Sequence, residues 1–145
     1  MLGDMKKSRL YITALVLALA ASFTAQAQVL RDANYNAIGR INGNGVVRDA
    51  EGHSIGSFDD DGTVRDKAGN VLGRIARLEI FNEDGERIGY INSDGNVRDG
   101  ESHPMGAVNL SDGKVTDARH NTLGYARGIR VDWIACYYLF RFFDR

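Results

Sequence analysis

The chain has 145 residues, with 18 Lys plus Arg against 19 Asp plus Glu, three His, 17 Gly, one Pro and one Cys. A formal net charge of −1 excludes the basic excess on which nucleic-acid binding rests. A single cysteine, Cys136, excludes an internal disulfide framework, so packing and hydrogen bonds must hold the fold.

The N-terminus reads as a targeting segment. Lys6, Lys7 and Arg9 make a basic start, residues 10–23 are apolar, and Ala25-Gln26-Ala27 places small residues at −3 and −1 of a cleavage point before Gln28. This is the layout of a secretory signal peptide over 1–27. The apolar run is short for a spanning helix of about 20 residues. No cysteine stands at the cleavage point, so a lipoprotein-type anchor is not indicated. The expected location is exported, periplasmic or secreted, with no transmembrane span after cleavage. The remainder, 28–145, reads as a single domain with 15 basic against 18 acidic residues.

From Asp32 onward one phrase recurs. An acidic or amide residue stands seven positions before a glycine at Asp32–Gly39, Asp49–Gly56, Asp66–Gly73, Asn82–Gly89, Asp99–Gly106 and Asp117–Gly124. The glycine steps are 17, 17, 16, 17 and 18, so a unit of about 17 residues is copied along the domain. The Asp or Asn is placed to bond the backbone two residues on and start a turn. Gly52, Gly69 and Gly85 share a slot that calls for positive φ. Where that slot holds Tyr35 or His120, the neighbouring Asn36 or Asn121 is expected to take the left-handed position. An apolar residue (Ile38, Ile55, Leu72, Ile88, Met105, Leu123) precedes each repeat glycine, and six glycines in register imply crowding around a shared axis.

A second turn follows at Asn44-Gly45, Asp61-Gly62, Asp94-Gly95 and Asp112-Gly113, dipeptides that signal hairpins. Hairpins are therefore expected over 38–49, 55–66, 72–82, 88–99 and 105–117. A lone first strand (Val29-Leu30-Arg31) and a lone last strand (123–126) could pair and remove the open edges. The fold class is all-β, a ring of about five short hairpins closed by its first and last strands. The third hairpin has no Asp-Gly and is expected to be longer or tighter. The C-terminal segment 132–143 is almost wholly apolar. It reads either as a strand buried on both faces or as a short helix with Asp132 as N-cap, and in either form as a plug for the ring. The alternative is an exposed interface.

Residues 61–75 (Asp-Gly-Thr-Val-Arg-Asp-Lys-Ala-Gly-Asn-Val-Leu-Gly-Arg-Ile), 123–129 (Leu-Gly-Tyr-Ala-Arg-Gly-Ile) and the aromatic tail after Trp133 resemble the five-fold β-flower proteins, small exported proteins of Bacteroidales-type bacteria. The resemblance covers essentially all of 28–145. It implies a ring of five hairpin petals and an exported location, and supplies no activity.

Four arginines, Arg31, Arg48, Arg65 and Arg98, precede the repeat Asp and should form a belt at one level. They suit carboxylate or sulfate, or else pair with acids around the ring. Asp59-Asp60-Asp61-Gly62 fails as an EF-hand, since Ser57 and Ala68 stand where acids are needed. His53, His103 and His120 lie in separate turns, so a three-histidine metal site is not expected. Cys136 is apolar-flanked and reads as a small core residue. No catalytic constellation, cofactor or metal is expected. The expected role is a non-catalytic structural or binding module of the cell envelope, with a polysaccharide or another envelope protein as partner. A glycan-cleaving protein is the alternative.

Overall fold

A computed structural model describes residues 28–144; the signal segment expected over 1–27 lies outside the described residues. Twelve short strands run in chain order: β1 (Gln28–Asp32), β2 (Ala37–Ile41), β3 (Val46–Asp49), β4 (Ser54–Phe58), β5 (Thr63–Asp66), β6 (Val71–Ala76), β7 (Glu79–Asn82), β8 (Arg87–Ile91), β9 (Asn96–Asp99), β10 (Pro104–Val108), β11 (Lys114–Asp117) and β12 (Thr122–Tyr125). One helix follows, α1 (Val131–Tyr138). Each strand pairs antiparallel with its neighbours, and β1 pairs with β12, giving a closed barrel. Closure leaves no free sheet edge.

The expectation of about five hairpins is corrected to twelve strands in six hairpin-like pairs. The Asp or Asn turns join β1 to β2, β3 to β4, and so on to β11 and β12, while the second turns join the pairs to one another. Both turn types are hairpins, so pairing never stops along the chain. At the seam Arg31 stands opposite Tyr125 and Asp32 opposite Gly124.

The interior is built in rings of six. Leu30, Val47, Val64, Ile80, Val97 and Val115, one from each odd strand, are all 0% exposed. Each lies directly opposite a repeat glycine: Gly39, Gly56, Gly73, Gly89, Gly106 and Gly124. A second buried ring is Ile41, Phe58, Ile75, Ile91, Val108 and Ala126. The apolar residue before each glycine is skipped in the pairing, so all six Asp hairpins carry a bulge at the same place. A bulge lets two successive residues serve one face. That is how Ile38 and Gly39, adjacent in sequence, both belong to the interior.

The apolar C-terminal segment occupies the barrel. Ile134, Ala135, Cys136 and Phe142 are buried in the same core as the ring residues. Residues 131–138 form a helix and 139–143 continue as turns, which decides between the two forms left open by the sequence. Asp132 is not the N-cap. Arg130 holds that position, and Asp132 sits in the first turn, where its carboxylate accepts from the Trp133 N–H at 2.9 Å. An acid is favourable there because the free N–H groups of a helix start carry partial positive charge.

The tail meets the repeat glycines in order. A Cβ on Gly39 would lie 3.5 Å from the Tyr137 hydroxyl, on Gly124 2.5 Å from Tyr138, on Gly106 3.0 Å from Leu139, on Gly89 2.5 Å from Phe140 and on Gly73 2.7 Å from Phe142; on Gly56 it would meet Phe143. Six side chains thus make one circuit of six strands, and Arg141, the residue skipped, is exposed. The glycines are absent side chains that make room for the tail.

Candidate functional site

The repeat Asp or Asn does the same work in every copy. Its Oδ1 accepts backbone N–H bonds from the residues two and four positions on. For Asp66 these are Ala68 and Asn70 at 2.9 Å each, and for Asn82 they are Asp84 at 3.0 Å and Glu86 at 2.9 Å. The N–H bond from Asn70 is the main cause that holds the Asp66 carboxyl below its ordinary value, and Asp99 and Asp117 are lowered by the same bond from His103 and Asn121. In Asp49 burial pushes upward but is outweighed by bonds and charge from His53. Tyr35, Ser102 and His120 take the positive-φ position themselves, with φ of 70°, 70° and 66°. Asn36 and Asn121 do not. They instead bond the second carboxylate oxygen, Oδ2 of Asp32 at 3.4 Å and of Asp117 at 3.1 Å.

The histidines fill that same role. Nδ1 of His53 stands 3.3 Å from Asp49 Oδ2, and Nδ1 of His103 stands 3.3 Å from Asp99 Oδ2. Asp49, Glu51 and His53 bring their ligand atoms within 4.8 Å of one another, a grouping the sequence reading did not single out. Because Asn70 and Asn121 occupy the same position with the same bond, the imidazole acts as a turn donor.

The four belt arginines take the same register position in their hairpins, opposite Ala37, Ser54, Val71 and Pro104, and each clamps its own turn. Nη1 of Arg31, Arg48, Arg65 and Arg98 donates to the carbonyl oxygen of Tyr35, Gly52, Gly69 and Ser102, at 3.1, 3.1, 3.0 and 2.8 Å. That carbonyl belongs to the positive-φ residue. Of the four, only Arg65 is ion-paired among the described residues, to Asp59 at 2.8 Å. The sequence reading left out their partners across the strand. The register places Arg40 opposite Arg48, Ser57 opposite Arg65, Arg74 opposite Phe81, Tyr90 opposite Arg98, Ala107 opposite Thr116 and Tyr125 opposite Arg31. Strands β1 to β6 therefore carry five arginines on this row, and β7 to β12 carry one. The signal was in the repeat, since Arg40 and Arg74 each follow a repeat glycine. It needs the strand register to be read.

Three oddities of the sequence meet at one end of the barrel. The third petal turns on Arg77 and Leu78, both at positive φ (52° and 65°), and is tighter than the others. Leu78 does what glycine does elsewhere: its carbonyl accepts the Ile91 N–H at 2.8 Å, as Gly45 does from Phe58. This turn, the run Asp59-Asp60-Asp61 and the start of α1 line a cleft of about 350 Å³. Its charged groups are largely committed. Arg130 bonds both carboxylate oxygens of Asp132, at 3.1 and 2.6 Å, and lies 4.8 Å over the Trp133 ring. Trp133 also stacks on Phe58, with ring centroids 5.1 Å apart.

Among known proteins, the model of one family, the 5-fold beta-flower protein, matches residues 24–143. The chain belongs to the 5-fold beta-flower family. No curated protein and no solved structure matches it. In this β-flower the repeat phrase is accounted for by turn closure and by the fit of the tail. Chemistry directed outward is left to the belt and the cleft.

Proposed function

We propose that this β-flower is an exported, non-catalytic binding module of the bacterial cell envelope. The observation that carries the reading is the filled interior. With Ile134, Ala135, Cys136 and Phe142 packed among the six-residue rings, the interior is occupied by the chain's own side chains, which favours the outer surface as the place for a ligand. The recurrent acids support the same reading. A general acid at neutral pH needs a raised carboxyl pKa, whereas Asp49, Asp61, Asp66, Asp94, Asp99 and Asp117 are all lowered. Export is supported by the basic start, the apolar run and the Ala25-Gln26-Ala27 site.

The test has two parts. Protein expressed with its full N-terminus should be recovered outside the cytoplasm beginning at Gln28; an intact N-terminus in the cytoplasm defeats the export half. The mature domain is then run in native gels cast with a panel of envelope and dietary polysaccharides, and the same mixtures are assayed for new reducing ends. Retardation without new ends is expected.

A glycan-cleaving protein is the second reading, favoured by the cleft that gathers Asp60 and Asp61 near Arg77. New reducing ends that vanish in Asp60→Asn or Asp61→Asn would replace the first reading with this one.

A further inference from the structure

The outer row of charges is lopsided in a way the fold does not require. Arg40 and Arg48 are directly opposed on β2 and β3, and both are exposed. Opposed residues on a sheet bring their Cβ atoms to about 5 Å, and like charges there are destabilising. Among the described residues neither has a carboxylate within ion-pair distance, nor do Arg31 and Arg74 on the same row; Arg65 alone is paired, to Asp59. The structure tolerates other residues at these positions. Ser57 fills the Arg40 and Arg74 position on β4, and Thr116 fills the Arg31, Arg48 and Arg65 position on β11. Five arginines on six neighbouring strands, directly opposed at Arg40 and Arg48 and offset along the strand across each Asp hairpin, where Arg40 faces Val29 and Arg74 faces Thr63, make a positive stripe on a chain whose net charge is −1.

We infer that this stripe is the ligand face of the module and that its ligand is an acidic polysaccharide, a chain bearing carboxylate or sulfate groups that crosses β1 to β6. The inference rests on the binding-module reading. A guanidinium offers five donors in a planar fork suited to both anions. Among the described residues Arg40 makes no hydrogen bond, and Arg31 and Arg48 spend only Nη1 on their turns, which leaves their other donors uncommitted there. A row of anions neutralises the Arg40–Arg48 repulsion, so the strain in the free protein becomes affinity in the complex. A nucleic acid offers the same charge but a phosphate spine with stacking bases. The row on β1 to β6 carries no aromatic side chain of its own, and the two aromatics at its ends, Tyr35 and Phe81, are each already covered on one face by a guanidinium, Arg31 at 4.5 Å and Arg74 at 5.3 Å.

The test uses the mature domain in gels and anisotropy titrations with sodium alginate, dextran sulfate, neutral dextran and an oligo-dT. Alginate and dextran sulfate should bind, neutral dextran should not, and binding should weaken as salt shortens the Debye length from roughly 30 Å at 0.01 M to roughly 3 Å at 1 M. Arg40→Ser with Arg74→Ser should weaken alginate binding by about tenfold or more, while Arg98→Thr, on the other half of the belt, should leave it within about twofold. Melting curves confirm that the variants fold. The inference is overturned if the acidic chains bind no better than neutral dextran, if Arg98→Thr costs as much as the double change, or if oligo-dT binds more tightly than alginate. Retention of neutral glycans alone would overturn this inference and leave the binding-module reading standing. Retention of no polysaccharide would defeat both.

Discussion

Phe142 stands where a side chain on Gly73 would have to go. A Cβ built on Gly73 would lie 2.7 Å from Cζ of the Phe142 ring, and it would also strike the Phe81 carbonyl oxygen. The backbone cannot retreat, because Gly73 pairs with Val64 on one side and Asn82 on the other. Gly73→Ala should therefore destabilise the barrel by about 2–3 kcal/mol, the range for overpacking. Gly52→Ala is the contrast, since a Cβ there meets nothing within 4 Å and only the φ of 88° opposes it. Urea unfolding of both should rank Gly73→Ala as the more damaging; the reverse order would mean that the glycines are kept for backbone freedom.

The tail is core, so shortening it should undo the fold. Phe142 is 2% exposed, and Phe142→Ala should cost about 3–5 kcal/mol. Truncation before Val131 removes all the residues that fill the ring and should abolish the cooperative transition. Size exclusion and circular dichroism would decide, and a truncated chain that remained compact with a sharp melt would refute the role given to the tail.

Acid should loosen the Asp turns. The carboxyls of Asp66, Asp99 and Asp117 are lowered in the fold, mainly by backbone N–H bonds. A lowered folded pKa means the folded state binds fewer protons than the unfolded one. The stabilisation is then fully present above about pH 4–5, beyond the unfolded value of about 3.9, and is lost as pH falls through the folded pKa. Asn82 fills the same slot with an amide Oδ1 that accepts the same two bonds. Asp66→Asn should therefore fold well and flatten the loss of melting temperature between about pH 5 and 2, whereas Asp66→Ala should melt lower at every pH. Equal acid sensitivity in Asp66→Asn and the parent would remove this carboxyl from the account.

Relieving the Arg40–Arg48 clash should stabilise the free protein. Arg40→Glu replaces opposed like charges by an opposed pair, worth about 0.5–1 kcal/mol, and should raise the melting temperature at low salt with the gain fading at high salt. A drop instead would mean that the two guanidinium groups do not repel at this spacing.

The fold was legible where the chemistry is local. An Asp that caps its own turn needs only the residues two and four positions on, and the six copies of that turn fixed strand order and the closing pair. The bulges were hidden, because nothing in Ile38-Gly39 says that both residues serve one face until β2 is laid against β1. The helix was ambiguous for a physical reason. Residues 133–140 are all apolar or aromatic and all buried or half-buried, so no polar face marks a 3.6-residue period. Asp132 looked like a cap because acids favour helix starts, yet Arg130 holds it two positions further in. The belt was read from Arg31, Arg48, Arg65 and Arg98 alone. Arg40 lies on the neighbouring strand, and only pairing brings it to Arg48.

The seam between β1 and β12 is held from within. Tyr138 donates its hydroxyl to the carbonyl of Arg31 at 2.7 Å and also lies 3.3 Å from that of Tyr125, one on each closing strand. The residue that latches the ring thus belongs to the segment that fills it, and that segment follows all six repeats in the chain. Until that segment is made, every earlier repeat is a hairpin with an uncovered apolar face, too small to be stable alone. Translation order therefore makes closure of the barrel a single step that follows the last repeat, in which docking of one short aromatic segment converts a string of six weak units into a closed object.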